Sequence, residues 1–271
     1  MILKAPAKIN LHLQVIKKRN DGFHDIRTAF ELIDLYDIIS IEPAIENITL
    51  KEEANKIKNN IILKAAFNLK KLCSVKMGAD ISLKKNIPMQ MGLGGGSSDA
   101  AAVLLGLNKL WNTNLNTEEL SALGKELGSD VPLFIKGTSS WGEGRGDILS
   151  EIIIPKRTYL LALPKEGIST KIAFDNIVVD SKHKFSLDDF MHGKKINDFQ
   201  DYALKSSDEI RRTFDILQKY NKPMLTGTGS AIFIEFDNKK KANMVFQEIK
   251  KKIEVILVNS LDSSPLKTLL T

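Results

Sequence analysis

The stretch MGLGGGSSDAAAVLLGLNKLW, Met91–Trp111, decides how this chain is read. Three consecutive glycines run into two serines, an aspartate and a long apolar segment. Fixed glycine costs backbone entropy, so a run of it needs a reason. Glycines let a backbone approach a ligand closely and turn its N–H groups inward. A helix start directly behind adds unpaired donors and the positive end of the helix dipole, which together make an anion site. A tight turn that packs a helix on a sheet needs one or two glycines, and this loop has more. It reads as a phosphate cradle, with the hydroxyls of Ser97 and Ser98 at the same place. The dipole supplies only about 0.3–1 kcal/mol per charge, so the converging N–H groups must do most of the holding. The loop lacks the Gly-Lys-Ser/Thr ending of a Walker-type P-loop. Pro88 gives it an irregular approach, unlike the strand that precedes a dinucleotide fingerprint. The helix behind, Ala100–Trp111, is apolar nearly all round and is predicted to be central and buried.

Outward from the loop the pattern alternates strands and helices. Residues 7–15 place Ala7, Ile9, Leu11, Leu13 and Val15 on one face and Lys8, Asn10, His12 and Gln14 on the other, as in a half-buried strand. DIISIEP, NITLKE and ADISLKK read as further strands, and residues 58–73 as an amphipathic helix. Asn116 and Glu119 form a capping-box-like start to another helix, which ends near Gly128. After about residue 155 come a strand (TYLLALP), helices across 186–220, a second glycine loop (Thr226–Ser230) with a strand, a helix around Ala242–Ile249 and a strand (EVILVNS). This order predicts an α+β fold with domains at 1–155 and 156–271.

Composition bounds the rest. The chain has 271 residues, 43% hydrophobic and 27% charged, which is ordinary for a soluble globular protein. Its apolar runs are far short of a membrane span, and its start shows no export signal. One cysteine, Cys73, excludes an internal disulfide framework, and four scattered histidines argue against a structural zinc site. His183 and His192 read as surface residues. The net charge of +6 comes largely from dispersed lysines without interleaved aromatics. That pattern fits solvated helix faces better than a nucleic-acid surface, while its field favours capture of a phosphorylated small molecule. The Lys-, Ile- and Asn-heavy composition points to an AT-rich genome, and the expected location is the bacterial cytoplasm.

At this point the motifs resemble a known group. PMQMGLGGGSSDAA is similar to the second signature of the GHMP small-molecule kinase superfamily, which includes galactokinase, homoserine kinase and mevalonate kinase. APAKINLHL and LTGTGSAIFIEF resemble its first and third signatures. NDGFH (20–24), GSDVPLF (128–134) and GEGRGDIL (142–149) narrow the resemblance to the 4-diphosphocytidyl-2-C-methyl-D-erythritol kinase family. The resemblance runs from about residue 5 to the final SPLKTLL. It implies an N-terminal domain like the second domain of ribosomal protein S5 and a ferredoxin-like C-terminal domain. ATP and the substrate would meet between them, and the substrate's 2-hydroxyl would be phosphorylated.

Asp130 by itself fits two roles, cap of a short helix containing Pro132 or general base. The resemblance implies the base, with Lys8 as its partner beside the transferred phosphate and Asn10 on the substrate alcohol. It implies that Phe23 stacks on cytosine, that His24 bonds the base edge, and that Phe174 closes over it. Phe23 stands where the family usually has tyrosine. For ATP it implies contacts from Pro88, Gly92, Leu93, Gly94, Gly95, Gly96, Ser97 and Ser98, with Lys85 and Asn60 near the adenosine. Magnesium is expected from the chemistry, held by phosphates and water rather than by a carboxylate cage, with Asp99 within possible reach. The DGFH element distinguishes this reading from homoserine or mevalonate kinase, whose pockets have no use for a base-stacking ring. A nucleic-acid-binding module on the same fold should lack the Lys8–Asp130 pair. The expected state is a monomer or weak homodimer.

Overall fold

The computed structural model describes residues 1–52, 60–179 and 184–270. Two long strands, β1 (Ile2–Lys18) and β2 (His24–Ala44), pair antiparallel and form the spine of the first sheet. β3 (Ile48–Glu52), β4 (Gly78–Lys84), β5 (Ser140–Glu143) and β6 (Ile148–Glu151) complete it, in the order β3-β4-β2-β5-β6 with β1 on β2. Four helices belong to this half: α1 (Ile61–Leu72), α2 (Gly95–Leu110), α3 (Thr117–Leu127) and α4 (Val131–Lys136). α2 is the hub. Every residue from Ser98 to Asn108 is buried, and it packs with Leu32, Ile39 and Ile41 of β2, and with Ala65 and Leu69 of α1. Burial on all sides explains why its sequence shows almost no polar face.

α1 starts at Ile61, with Asn60 as its cap, so the first residues of the helix expected over 58–73 lie outside the described residues. His183 lies outside them as well; His192 is exposed. α3 has both halves of the expected capping box, Glu119 N–H to Asn116 Oδ1 and Asn116 N–H to Glu119 Oε2, each 2.9 Å. Gly128 is its C-cap, in extended rather than left-handed backbone (φ 176°).

The second sheet contains β7 (Thr158–Ala162), β8 (Met224–Leu225), β9 (Ile232–Phe236) and β10 (Val255–Asn259), all antiparallel in the order β10-β7-β9-β8. Helices α5 (Thr170–Asn176), α6 (Leu187–Met191), α7 (Gln200–Ser206), α8 (Asp208–Gln218) and α9 (Lys239–Ile249) interleave with these strands, and a short 3-10 helix at Pro265–Leu269 ends the chain. The strand order with its crossover helices is ferredoxin-like. TYLLALP is a continuous apolar run because β7 is buried on both faces. Leu160 and Ala162 meet the helices, whereas Tyr159 and Leu161 meet Ala7, Ile9 and Leu11 of β1.

That contact corrects one expectation. β1 is not half-buried: Lys8, Asn10, His12 and Gln14 are each at most 4% exposed. Its polar face is covered by Asp130 against Lys8, by Trp141 and Phe185 against His12, and by the Phe185 N–H bonded to Gln14 Oε1, and its free edge is covered by segments 183–216 residues away in sequence. Thr226 Oγ1 accepts the Asn10 N–H at 3.0 Å, Ile196 O accepts that of Leu13 at 2.8 Å, and Asp198 Oδ2 accepts that of Val15 at 2.7 Å. Alternation alone reports two chemically different faces, and only the tertiary fold decides what covers each.

Candidate active site

Between the two sheets lies a cleft of about 820 Å³. Its floor is β1, one wall is the loop Pro88–Ser97, and the far wall is made by α5 and the loop at Gly227–Thr228. Gly94 is the N-cap of α2, in left-handed backbone (φ 71°), with no side-chain cap on the helix. The first turn of a 16-residue helix therefore opens into the cleft with its N–H groups free of side-chain acceptors. Gly92 has the same left-handed backbone, and a Cβ there would lie 2.1 Å from the Thr226 carbonyl oxygen. The two glycine loops thus touch backbone to backbone, an approach that any side chain would block.

Lys8 and Asp130 meet below this helix start. Lys8 Nζ lies 3.5 Å from Asp130 Oδ2 and donates to Asn10 Oδ1 at 2.6 Å. Burial lowers the Lys8 ammonium below its ordinary range, and the Asp130 charge opposes that shift. Asp130 is the N-cap residue of α4, yet its side chain makes no capping bond. Its backbone is helical (φ −86°, ψ −10°), and its carboxylate is turned to Lys8 with 30% exposure. The position is a cap, but the carboxylate is free for other work.

Lys85 sits at the other side of the cradle. Its ammonium bonds Asp37 Oδ2 and, at 2.8 Å, Asp99 Oδ2. Asp37 also accepts the Asn86 N–H at 2.6 Å and the Ile87 N–H at 2.8 Å. Two carboxylates thus share one ammonium. Asp37 has the extra backbone donors, and burial drives the Asp99 carboxyl well above the usual range although Lys85 opposes it. Asn60 Oδ1 caps α1 by accepting the Ile62 N–H at 2.9 Å while the residue lines the cleft.

At the opposite end the β1–β2 turn carries Phe23 and His24. Asp21 Oδ1 accepts the Phe23 N–H at 3.1 Å, which shapes the turn. Phe23 projects outward at 47% exposure, while His24 is buried with its ring 5.1 Å from that of Phe174. α5, absent from the sequence expectation, is what brings Phe174 there. Arg145 lies over Phe23, its guanidinium carbon 3.6 Å from the ring centroid, and donates to Ser129 Oγ at 3.1 Å.

The predicted site residues line this one cleft, with one exception. Ser98 is fully buried behind its wall, because one residue further along a helix points about 100° away from Ser97. Asp37, Thr28 and Arg145 were not singled out in the sequence. Arg145 had a signal, a lone cation inside a glycine-rich loop; Asp37 and Thr28 look like ordinary strand residues.

Comparison with known proteins fits this geometry. The model for the GHMP kinases N terminal domain matches residues 60–138, and that for the GHMP kinases C terminal matches 185–255. The fold is that of a GHMP kinase. A protein of Buchnera aphidicola subsp. Acyrthosiphon pisum named 4-diphosphocytidyl-2-C-methyl-D-erythritol kinase is 41% identical, covering 98% of this chain and 97% of that one. One of the same name from Psychromonas ingrahamii is 38% identical over 98% and 95%. A crystal structure of 4-(cytidine 5'-diphospho)-2C-methyl-D-erythritol kinase superposes with a TM-score of 0.83 at 26% identity, covering 96% of this chain and 99% of that one. A mevalonate kinase structure superposes at 0.74 with 17% identity over 97% and 100%, a likeness of fold. The chain belongs to the 4-diphosphocytidyl-2-C-methyl-D-erythritol kinase family. No helix among the described residues is long and apolar enough to cross a membrane.

Proposed function

We propose that this protein transfers the γ-phosphoryl group of ATP to the 2-hydroxyl of 4-diphosphocytidyl-2-C-methyl-D-erythritol in the non-mevalonate route to isoprenoid precursors. The observation that carries the mechanism is the Lys8–Asp130 pair placed beside an uncapped helix start in one cleft. Asp130 takes the proton of the alcohol as its oxygen attacks the γ-phosphorus, and ADP leaves with the bond electrons. Lys8 keeps Asp130 ionised and faces the charge that develops on the phosphoryl oxygens. The loop from Pro88 through Ser97 holds the ATP phosphates, with Lys85 and Asn60 toward the adenosine. Phe23, His24 and Phe174 form the cytosine end, and Asn10 meets the acceptor alcohol.

Magnesium would neutralise phosphate charge in this reaction. The residues present fit it in one respect: Asp99, which lines the cleft, has its buried Oδ1 without a hydrogen-bond partner. We read the protein as a bacterial cytoplasmic enzyme, the bacterial part resting on its relatives' organisms. We read it as a monomer or weak homodimer, which sedimentation velocity tests.

The decisive experiment is ADP release with ATP and magnesium against three acceptors: the cytidyl compound, mevalonate and homoserine. Turnover of the cytidyl compound alone, lost in D130N, is expected. Turnover of another acceptor would overturn the assignment of the Phe23–His24–Phe174 end.

A further inference from the structure

Thr28, on β2, is fully buried against Asn10. Its hydroxyl donates to the His12 carbonyl oxygen at 2.7 Å and accepts from Asn10 Nδ2 at 2.8 Å. A hydroxyl has one proton. With that proton committed to a carbonyl, only lone pairs remain to face Asn10. The Asn10 amide must then present its NH2 to Thr28 and turn its oxygen the other way. There the Lys8 ammonium donates to it at 2.6 Å. An ammonium is a donor only, so the flipped amide would set donor against donor at Lys8 and lone pair against lone pair at Thr28. The Asn10 main chain is fixed separately. Its N–H donates to Thr226 Oγ1 at 3.0 Å, and that hydroxyl bonds Gly92 O at 3.3 Å. The amide orientation, by contrast, depends on Thr28 and Lys8.

We propose that Thr28 is a positioning residue for phosphoryl transfer: it sets the orientation of the Asn10 amide and through it aims the Lys8 ammonium at Asp130 and the transferring phosphate. The inference rests on the reading of Lys8 and Asp130 as the transfer pair. Lys8 and Asn10 are both 3% exposed, so no solvent replaces the lost acceptor when the amide turns.

The test is steady-state kinetics on T28V, T28S and D130N, with kcat and KM determined separately and melting temperature alongside. T28V keeps the side chain's shape and removes the hydroxyl. It is expected to lower kcat about tenfold or more, with KM for ATP near wild type. T28S should recover most of that loss. A merely structural role would lower the melting temperature and leave kcat of the folded fraction unchanged, which overturns the proposal. Should T28V not fold, T28C takes its place: its weakly bonding thiol should give a kcat well below that of T28S, and wild-type kcat overturns the proposal. If D130N is inactive while T28V turns over like wild type, the inference about Thr28 fails alone. If D130N turns over like wild type, both the inference and the transfer pair fail.

Discussion

Gly94, Gly95 and Gly96 are neighbours in sequence but have different physical reasons to be glycine, and a pair of alanine variants separates folding from binding. At Gly94 the backbone is left-handed, and a Cβ would lie 2.9 Å from Phe134 Cζ and 3.0 Å from Lys8 Cγ. Left-handed backbone costs an L-residue about 1–2 kcal/mol. Overpacking a filled core costs about 1–3 kcal/mol more. G94A should therefore lose about 2–5 kcal/mol of stability, on the order of a 10 °C fall in melting temperature for a chain of this size. It should also lower kcat, because the methyl pushes on Lys8. At Gly96 a Cβ meets nothing nearer than Ile61 Cγ2 at 3.9 Å, in the mouth of the cleft. G96A should keep its stability or gain up to about 1 kcal/mol from helix propensity. Its methyl occupies the space where phosphate oxygens approach, so KM for ATP should rise about tenfold or more as a charged hydrogen bond is lost. Differential scanning calorimetry and ATP titration read the two effects independently. Wild-type melting of G94A would refute the steric reasoning, and wild-type ATP affinity of G96A would refute the phosphate cradle.

Two further outcomes follow from buried charges. D37N removes the anion that holds Lys85 and two backbone N–H groups, so it should raise KM for ATP about tenfold while KM for the cytidyl substrate stays constant; equal changes in both would sink the link between Asp37 and the nucleotide wall. His12 is fully buried between Trp141 and Phe190, and burial pushes its pKa down to about 4. Its folded pKa lies below the ordinary unfolded value of about 6.5, so its stabilising contribution is complete above about pH 6.5 and lost progressively down to about pH 4. Glu31, pushed up to about 7 by burial, works in the opposite sense, which makes the difference between wild type and H12Q the informative quantity. Between pH 6.5 and 5 the wild type should lose about 2 kcal/mol relative to H12Q. Parallel denaturation profiles for the two would contradict this account.

The elements were largely legible in the sequence because their causes are local. Asn116 and Glu119 close a capping box within one turn, and the all-round apolar stretch after Gly96 can only be a central helix. The glycine loop and the helix start behind it were legible for the same reason, since they are contiguous in the chain. What covers β1 was not, because Thr226, Ile196 and Asp198 reach its free edge, and Phe185 its polar face, from far along the chain. Asp130 was ambiguous until the fold turned its carboxylate away from the α4 N–H groups and toward Lys8, a partner 122 residues earlier. Thr28 and Asp37 carried no signal at all. A threonine or aspartate at a strand position states only its donors and acceptors, and hydrogen-bond direction acquires meaning once the partner groups are fixed in space. Periodicity and capping set the elements in sequence; the direction of each buried polar group was decided by packing two sheets against one another.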